Sequence, residues 1–188
     1  MAQALEKVGP TYRPLTAFIA ETGARVSEAL AVRFGDLDLQ ARTWAVAGQL
    51  LKDGTVRLTK TPGSMATVPL SARAVEVVKR QRQQLMRNGF LVIASDSLVF
   101  VNCNSEPLSR YEALRHWQNA TQATLGVPVR LHDLRTTFAS RLAANGVDVP
   151  TAQALLRHAR PSTTLDVYTR LRGDAAARSE RMRAALDA

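Results

Sequence analysis

A few side chains in five short segments are of types that could act on a phosphate ester. Arg25 and Glu28 lie three apart in TGARVSE. Lys60 ends the run LTK, entering a Pro62-Gly63 turn. His132 and Arg135 lie three apart in LHDLR, His158 ends LLRH, and Tyr168 ends TTLDVY. Each segment alone has an ordinary explanation. Arg25 and Glu28 could be an exposed i,i+3 ion pair worth a few tenths of a kcal/mol. Lys60 could be a strand-end lysine and His158 a helix C-cap, where the helix dipole favours its charged form. His132 could be a hydrogen-bonded histidine at the core edge, and Tyr168 a half-buried helical tyrosine.

Taken together they make a coherent set: one phenol, two Arg, two His and one Lys, without a carboxylate cluster. That set suits phosphoryl transfer without a metal. Such a reaction needs a nucleophile and otherwise depends on positioning and charge stabilisation. A phenol has a pKa of about 10, so it needs a base nearby and cations around the target phosphate. His132 beside Arg135 should have its charged form disfavoured, leaving it free to accept a proton near neutral pH. No Gly-rich phosphate loop is present, so nucleotide use is not indicated. Cys103 is the only cysteine, which excludes an internal disulfide and a Cys-based zinc site. No cofactor is expected.

The elements that must position these residues follow from periodicity and punctuation. Residues 11–22 read as a helix past Pro14, with Leu15, Phe18 and Ile19 on one face and Gly23 as its stop. A second helix should start near Ala24, carry Arg25 in its first turn, and break at Gly35. Residues 42–48, 55–60 and 66–70 read as strands of a three-stranded antiparallel meander. Residues 72–88 form an amphipathic helix whose wet face carries Arg73, Lys79, Arg80, Arg82 and Arg87. The run 98–101 is a further strand or a buried loop. Residues 110–125 and 131–145 are helices, the second stopped by Asn145-Gly146 and placing His132 and Arg135 at the rim of the core. Pro150 opens a third helix, Pro161-Ser162 precede a fourth that carries Tyr168, and residues 174–187 form a last one.

The totals agree with a compact domain that meets polyanions. The 188 residues are 46% apolar but only 5% aromatic, so Leu, Val and Ala must fill most of the core. Net charge is +9, and 21 of the 25 basic residues are Arg. Arg presents a flat fork of donors that matches phosphate oxygens, so an Arg-rich basic domain has the footprint of a nucleic-acid binder. An Arg-rich composition inherited from a GC-rich coding sequence would look the same. No secretory signal and no apolar run of membrane-spanning length is visible, and the expected location is cytoplasmic.

The order Arg…Lys…His-x-x-Arg…His…Tyr resembles the tyrosine recombinases, the phage integrase family. The resemblance rests on TGARVSEAL, LTKT followed by VPLS, LHDLRTTFASRL and ALLRHARPSTTLDVYTRL, and it spans roughly residues 11–172. It implies the family's catalytic-domain fold: α+β, mostly helical, with a small three-stranded antiparallel sheet near the N-terminal third. It also implies site-specific cleavage and rejoining of double-stranded DNA. Tyr168 would attack the phosphorus, Arg25 and Arg135 would clamp the phosphate, and His158 would hydrogen-bond a non-bridging oxygen. His132 would accept or hold the phenol proton, Lys60 would protonate the departing 5′-oxygen, and Glu28 would support the site.

The resemblance further implies a single catalytic domain over residues 1–188, without the N-terminal helical domain of most members. Residues 174–188 would dock on a neighbouring protomer, giving a homotetramer on DNA from a monomer in free solution. Accessory DNA-bending or directionality proteins are further expected partners, and a mobile element is one expected setting. The same fold and a similar residue set serve type IB topoisomerases, and a basic module of this kind could also be a non-catalytic DNA-binding regulator. The chain departs from the family pattern at Arg157, where Gly commonly precedes the second His. A bulkier residue there would crowd the turn or add a phosphate contact.

Overall fold

Pro14 and Gly23 bracket the helix that leads into the first candidate segment. A computed structural model describes residues 1–51, 53–58, 66–89, 93–157 and 168. In it α2 runs Arg13–Thr22, with Pro14 in the first turn, where a missing N–H costs nothing. It ends at Gly23 in the left-handed region, φ 63°, a conformation that costs a residue with a Cβ about 1–2 kcal/mol. A short helix that the periodicity did not reveal, α1 (Ala2–Lys7), precedes it.

The second expected helix is shorter than its apolar pattern suggests. It is α3 (Val26–Leu30), and Arg25 is its N-cap rather than a first-turn residue. The helices that follow match their punctuation closely. In α4 (Ala72–Arg87) the Ser71 hydroxyl accepts from the Ala74 N–H at 3.0 Å. Its five expected wet-face cations are all exposed, while Ala74, Val75, Val78 and Leu85 are buried. Next comes α5 (Arg110–Leu125), capped by Ser109 and stopped by left-handed Gly126.

The expected meander is not what forms. β1 (Leu37–Asp38), β2 (Thr43–Val46) and β5 (Ala66–Pro69) make a three-stranded antiparallel sheet in the order β1-β2-β5. β3 (Gly48–Leu50) and β4 (Val56–Leu58) pair separately as a hairpin. The 42–48 run therefore splits: its first half pairs forward with β5, Trp44 opposite Val68, and its end starts the hairpin. Gly48 permits this because a Cβ there would come within 3.0 Å of the Arg57 carbonyl. The antiparallel sheet and the helical majority stand as expected; the connectivity does not. The 98–101 run is a buried loop, tied by isolated bridges between Arg33 and Leu98 and between Val101 and Pro107.

The chain divides into two compact units, residues 1–135 and 136–188. In the first, α1 packs on α5 and α2 on α4. Despite the low aromatic content, its core centres on rings. Phe18 meets Trp44 edge-on at 5.3 Å and Phe100 at 5.4 Å, and all three are almost fully buried. Burying side chains of this size stabilises by about 1.5–3 kcal/mol each, which fixes α2 and hence the position of its C-terminal end. Leu131 and Leu134 belong to the same core.

Helix α6 covers Asp133–Ala144, stopped by left-handed Gly146. In the second unit, α7 covers Val149–Leu156, with Pro150 in its first turn and Asp148 accepting from the Thr151 N–H at 2.9 Å. Its C-cap is Arg157 at φ 54°, ψ 43°. The position where the family usually has Gly is thus a left-handed one, occupied here by an Arg.

Candidate functional site

The end of α2 is built as a rigid corner. The Thr22 hydroxyl donates to the Phe18 carbonyl at 2.7 Å and accepts from the Ala24 N–H at 3.2 Å. Both Thr22 and Ala24 are buried. The corner carries the chain directly into Arg25 and leaves the Gly23 carbonyl without a helical partner of its own. A helix end always has such orphan carbonyls, and something must satisfy them.

Arg135 does so. Its Nη1 donates to the Gly23 oxygen at 2.6 Å across 112 residues of sequence, and the residue is only 2% exposed. Arg135 therefore lies deeper than the core rim expected for it. The bond places it beside the segment that begins with Arg25.

Arg25 is held from the other side. The Glu28 carboxylate accepts from the Arg25 N–H at 2.9 Å and from the Arg25 guanidinium at 2.6 Å. One buried carboxylate thus caps α3 and orients a guanidinium whose side chain is 40% exposed. The i,i+3 spacing does more than share a helix face: Glu28 reaches back to the N-cap N–H, as the acidic residue of a capping box does.

His132 stands immediately before α6 and is exposed. Its pKa is lowered below 6.5, first because the ring is partly withdrawn from water and next because the Arg135 guanidinium is nearby. Arg130 and Arg25 push the same way, while Asp133 opposes them. His132 thus feels both candidate clamp arginines and favours the neutral form that accepts a proton. Asp133 is itself clasped by Arg130 through two bonds, 3.2 and 2.8 Å, which holds its carboxyl below the usual carboxylate range.

Of the sequence-derived residues, Arg25, Glu28, His132 and Arg135 come together in the first unit. Tyr168 is helical and buried, 3% exposed. Lys60 and His158 lie outside the described residues, as do the Pro62-Gly63 turn, the Pro161-Ser162 helix start and the 174–187 helix. Sequence reasoning missed the Gly23 carbonyl as the anchor of Arg135. Gly23 was legible as a helix stop, but nothing local signals a partner so distant along the chain. Among the described residues no three His, Cys, Asp or Glu side chains group as a metal site, and no helix is long and apolar enough to cross a membrane.

A model of the phage integrase family matches residues 1–174. The chain belongs to the phage integrase family. Among its relatives in the family is the tyrosine recombinase XerD of Mycobacterium leprae, 35% identical over 158 residues, which are 84% of this chain and 47% of that protein. The tyrosine recombinase XerC of Pelotomaculum thermopropionicum is 29% identical over 174 residues, 90% of this chain and 52% of that protein. The chain spans about half the length of the curated relatives it matches. The fold is that of solved integrases and recombinases. The Tn1549 transposon integrase in complex with circular intermediate DNA superposes with a TM-score of 0.77 at 20% identity, covering 97% of this chain and 64% of that one. The XerA recombinase gives 0.70 at 22% identity, covering 96% and 60%.

Proposed function

We propose that this chain is the catalytic domain of a site-specific DNA recombinase that cleaves and rejoins strands through a 3′-phosphotyrosine. The observation that carries the reading is the buried Arg135–Gly23 bond, which brings two arginine-bearing segments and a histidine of lowered proton affinity around one point. Family membership supports it, as does a net charge of +9 suited to duplex DNA as partner.

In this reading Arg25 and Arg135 bind the scissile phosphate, and their fixed forks stabilise the charge that develops there. The Tyr168 oxygen attacks phosphorus while His132 takes or holds the phenol proton. The P–O5′ bond breaks, and Lys60 gives its proton to the departing 5′-oxygen. His158 hydrogen-bonds a non-bridging oxygen, and Glu28 keeps Arg25 in place. The products are a 3′-phosphotyrosine and a 5′-hydroxyl, and attack by another strand's 5′-hydroxyl restores the diester. The ester stores the bond energy, so the exchange needs no high-energy cofactor. Four protomers assemble on DNA through residues 174–188, each a monomer beforehand.

The test uses plasmids carrying paired copies of DNA segments that flank the gene. Exchange between paired segments, absent from a plasmid without them, supports the proposal. Relaxation of any supercoiled plasmid without exchange points instead to a topoisomerase. Specific binding without cleavage points to a regulator.

A further inference from the structure

His132 has a second neighbourhood. It lines a cavity of about 230 Å³ with Ile19, Val26, Leu114 and Leu131 among its apolar walls and Arg110 and Arg130 among its polar ones. Arg110 is the first residue of α5 and is exposed.

The charges around this cavity are unevenly matched. Arg130, which lines it, is clasped by Asp133. Arg110 has no carboxylate or hydrogen-bond partner among the described residues. Its five donors remain available, in the fork geometry that suits a phosphate. Beside it the cavity wall is apolar, from Ile19, Val26, Leu114 and Leu131.

We infer that Arg110 is a DNA-positioning residue that grips the phosphate of a nucleotide next to the scissile one, with its deoxyribose over the apolar wall of this cavity. The inference rests on the proposed reading of His132 and Arg135 as the scissile-phosphate site. His132 is the shared residue: it faces the reacting phosphate and the cavity that seats the neighbouring sugar. A phosphate contact of this kind sets register on the duplex and carries no base preference.

The experiment measures binding of the full chain to a short fluorescent duplex of mixed sequence across about 50 to 300 mM KCl. Each lost phosphate contact makes the slope of log affinity against log salt shallower by about 0.9, which at 0.1 M salt is about eightfold in affinity. Arg110→Ala shows both changes and keeps the wild-type melting temperature, because the side chain is exposed. Arg110→Lys keeps the charge and therefore the slope. Arg73→Ala, which removes an equal charge from the wet face of α4, changes neither. A wild-type slope in Arg110→Ala, or an equal loss in Arg73→Ala, overturns the inference. A wild-type chain with no salt-dependent duplex binding overturns the underlying DNA reading as well, so the two failures are distinguishable.

Discussion

Arg25 and Arg135 are the same residue type assigned to the same phosphate, yet the protein holds them in opposite ways. Arg135 is buried and fixed by a backbone carbonyl at the corner of α2. Arg25 reaches toward water and is steadied by a side chain, the Glu28 carboxylate. A backbone anchor inside a packed core leaves little freedom, whereas a side chain that is 40% exposed and held by a carboxylate can reorganise. In the proposed reading Arg135 is preorganised for the phosphate, and Arg25 is the one that can adjust when a duplex binds.

The largest effect is expected at Arg135. Arg135→Lys keeps the charge but loses the fork, so cleavage of a nicked duplex should fall on the order of 10³-fold while duplex affinity stays within about threefold. Single-turnover cleavage beside an anisotropy titration checks this, and near-wild-type cleavage removes the clamp role. Glu28→Ala should do less. It releases Arg25 without deleting it, lowering cleavage by about ten- to a hundredfold, and it removes a cap worth about 1 kcal/mol, read from a denaturant titration.

The next contrast is between two helix ends. Gly23 and Arg157 both take left-handed backbone, φ 63° and 54°, each just ahead of a candidate site residue. One turn is free of steric cost and the other is not. Arg157→Gly should raise stability by about 1 kcal/mol and Gly23→Ala should lower it by a similar amount, seen as opposite shifts in melting temperature.

The smallest effect concerns His132, whose lowered pKa should appear as an NMR titration midpoint below 6.5 in the DNA-free protein. The folded state then binds this proton less readily than the unfolded chain. The histidine's contribution to stability is therefore complete above pH 6.5 and declines as pH falls from 6.5 through the folded pKa. At sub-saturating duplex, cleavage efficiency that depends on His132 accepting the proton should hold its neutral-pH value until the pH approaches that folded pKa. A midpoint at or above 6.5 contradicts both expectations.

What could be read from the sequence follows the range of the forces involved. The bounds of α4 and α5 were legible because Ser71, Ser109 and Gly126 cap them through local hydrogen bonds and backbone preference. The motif residues were legible as chemical types at fixed spacing. The sheet was not: β2 pairs with β5 across an excursion that forms its own hairpin, and both ladders satisfy the same alternation of apolar residues. Nor was the depth of Arg135, because its burial depends on a carbonyl presented by a distant helix end. Arg25 as a cap, instead of a first-turn residue, was missed for a smaller reason: the apolar pattern fits a helix beginning one or two residues earlier.

If the phenol of Tyr168 becomes bonded to DNA, a nicked suicide duplex should trap a covalent protein–DNA adduct. Mass spectrometry of the digested adduct should find the 3′-phosphate on Tyr168 and no adduct with Tyr168→Phe. An adduct that survives Tyr168→Phe, or none from the intact chain on a duplex it binds and pairs specifically, would contradict the account.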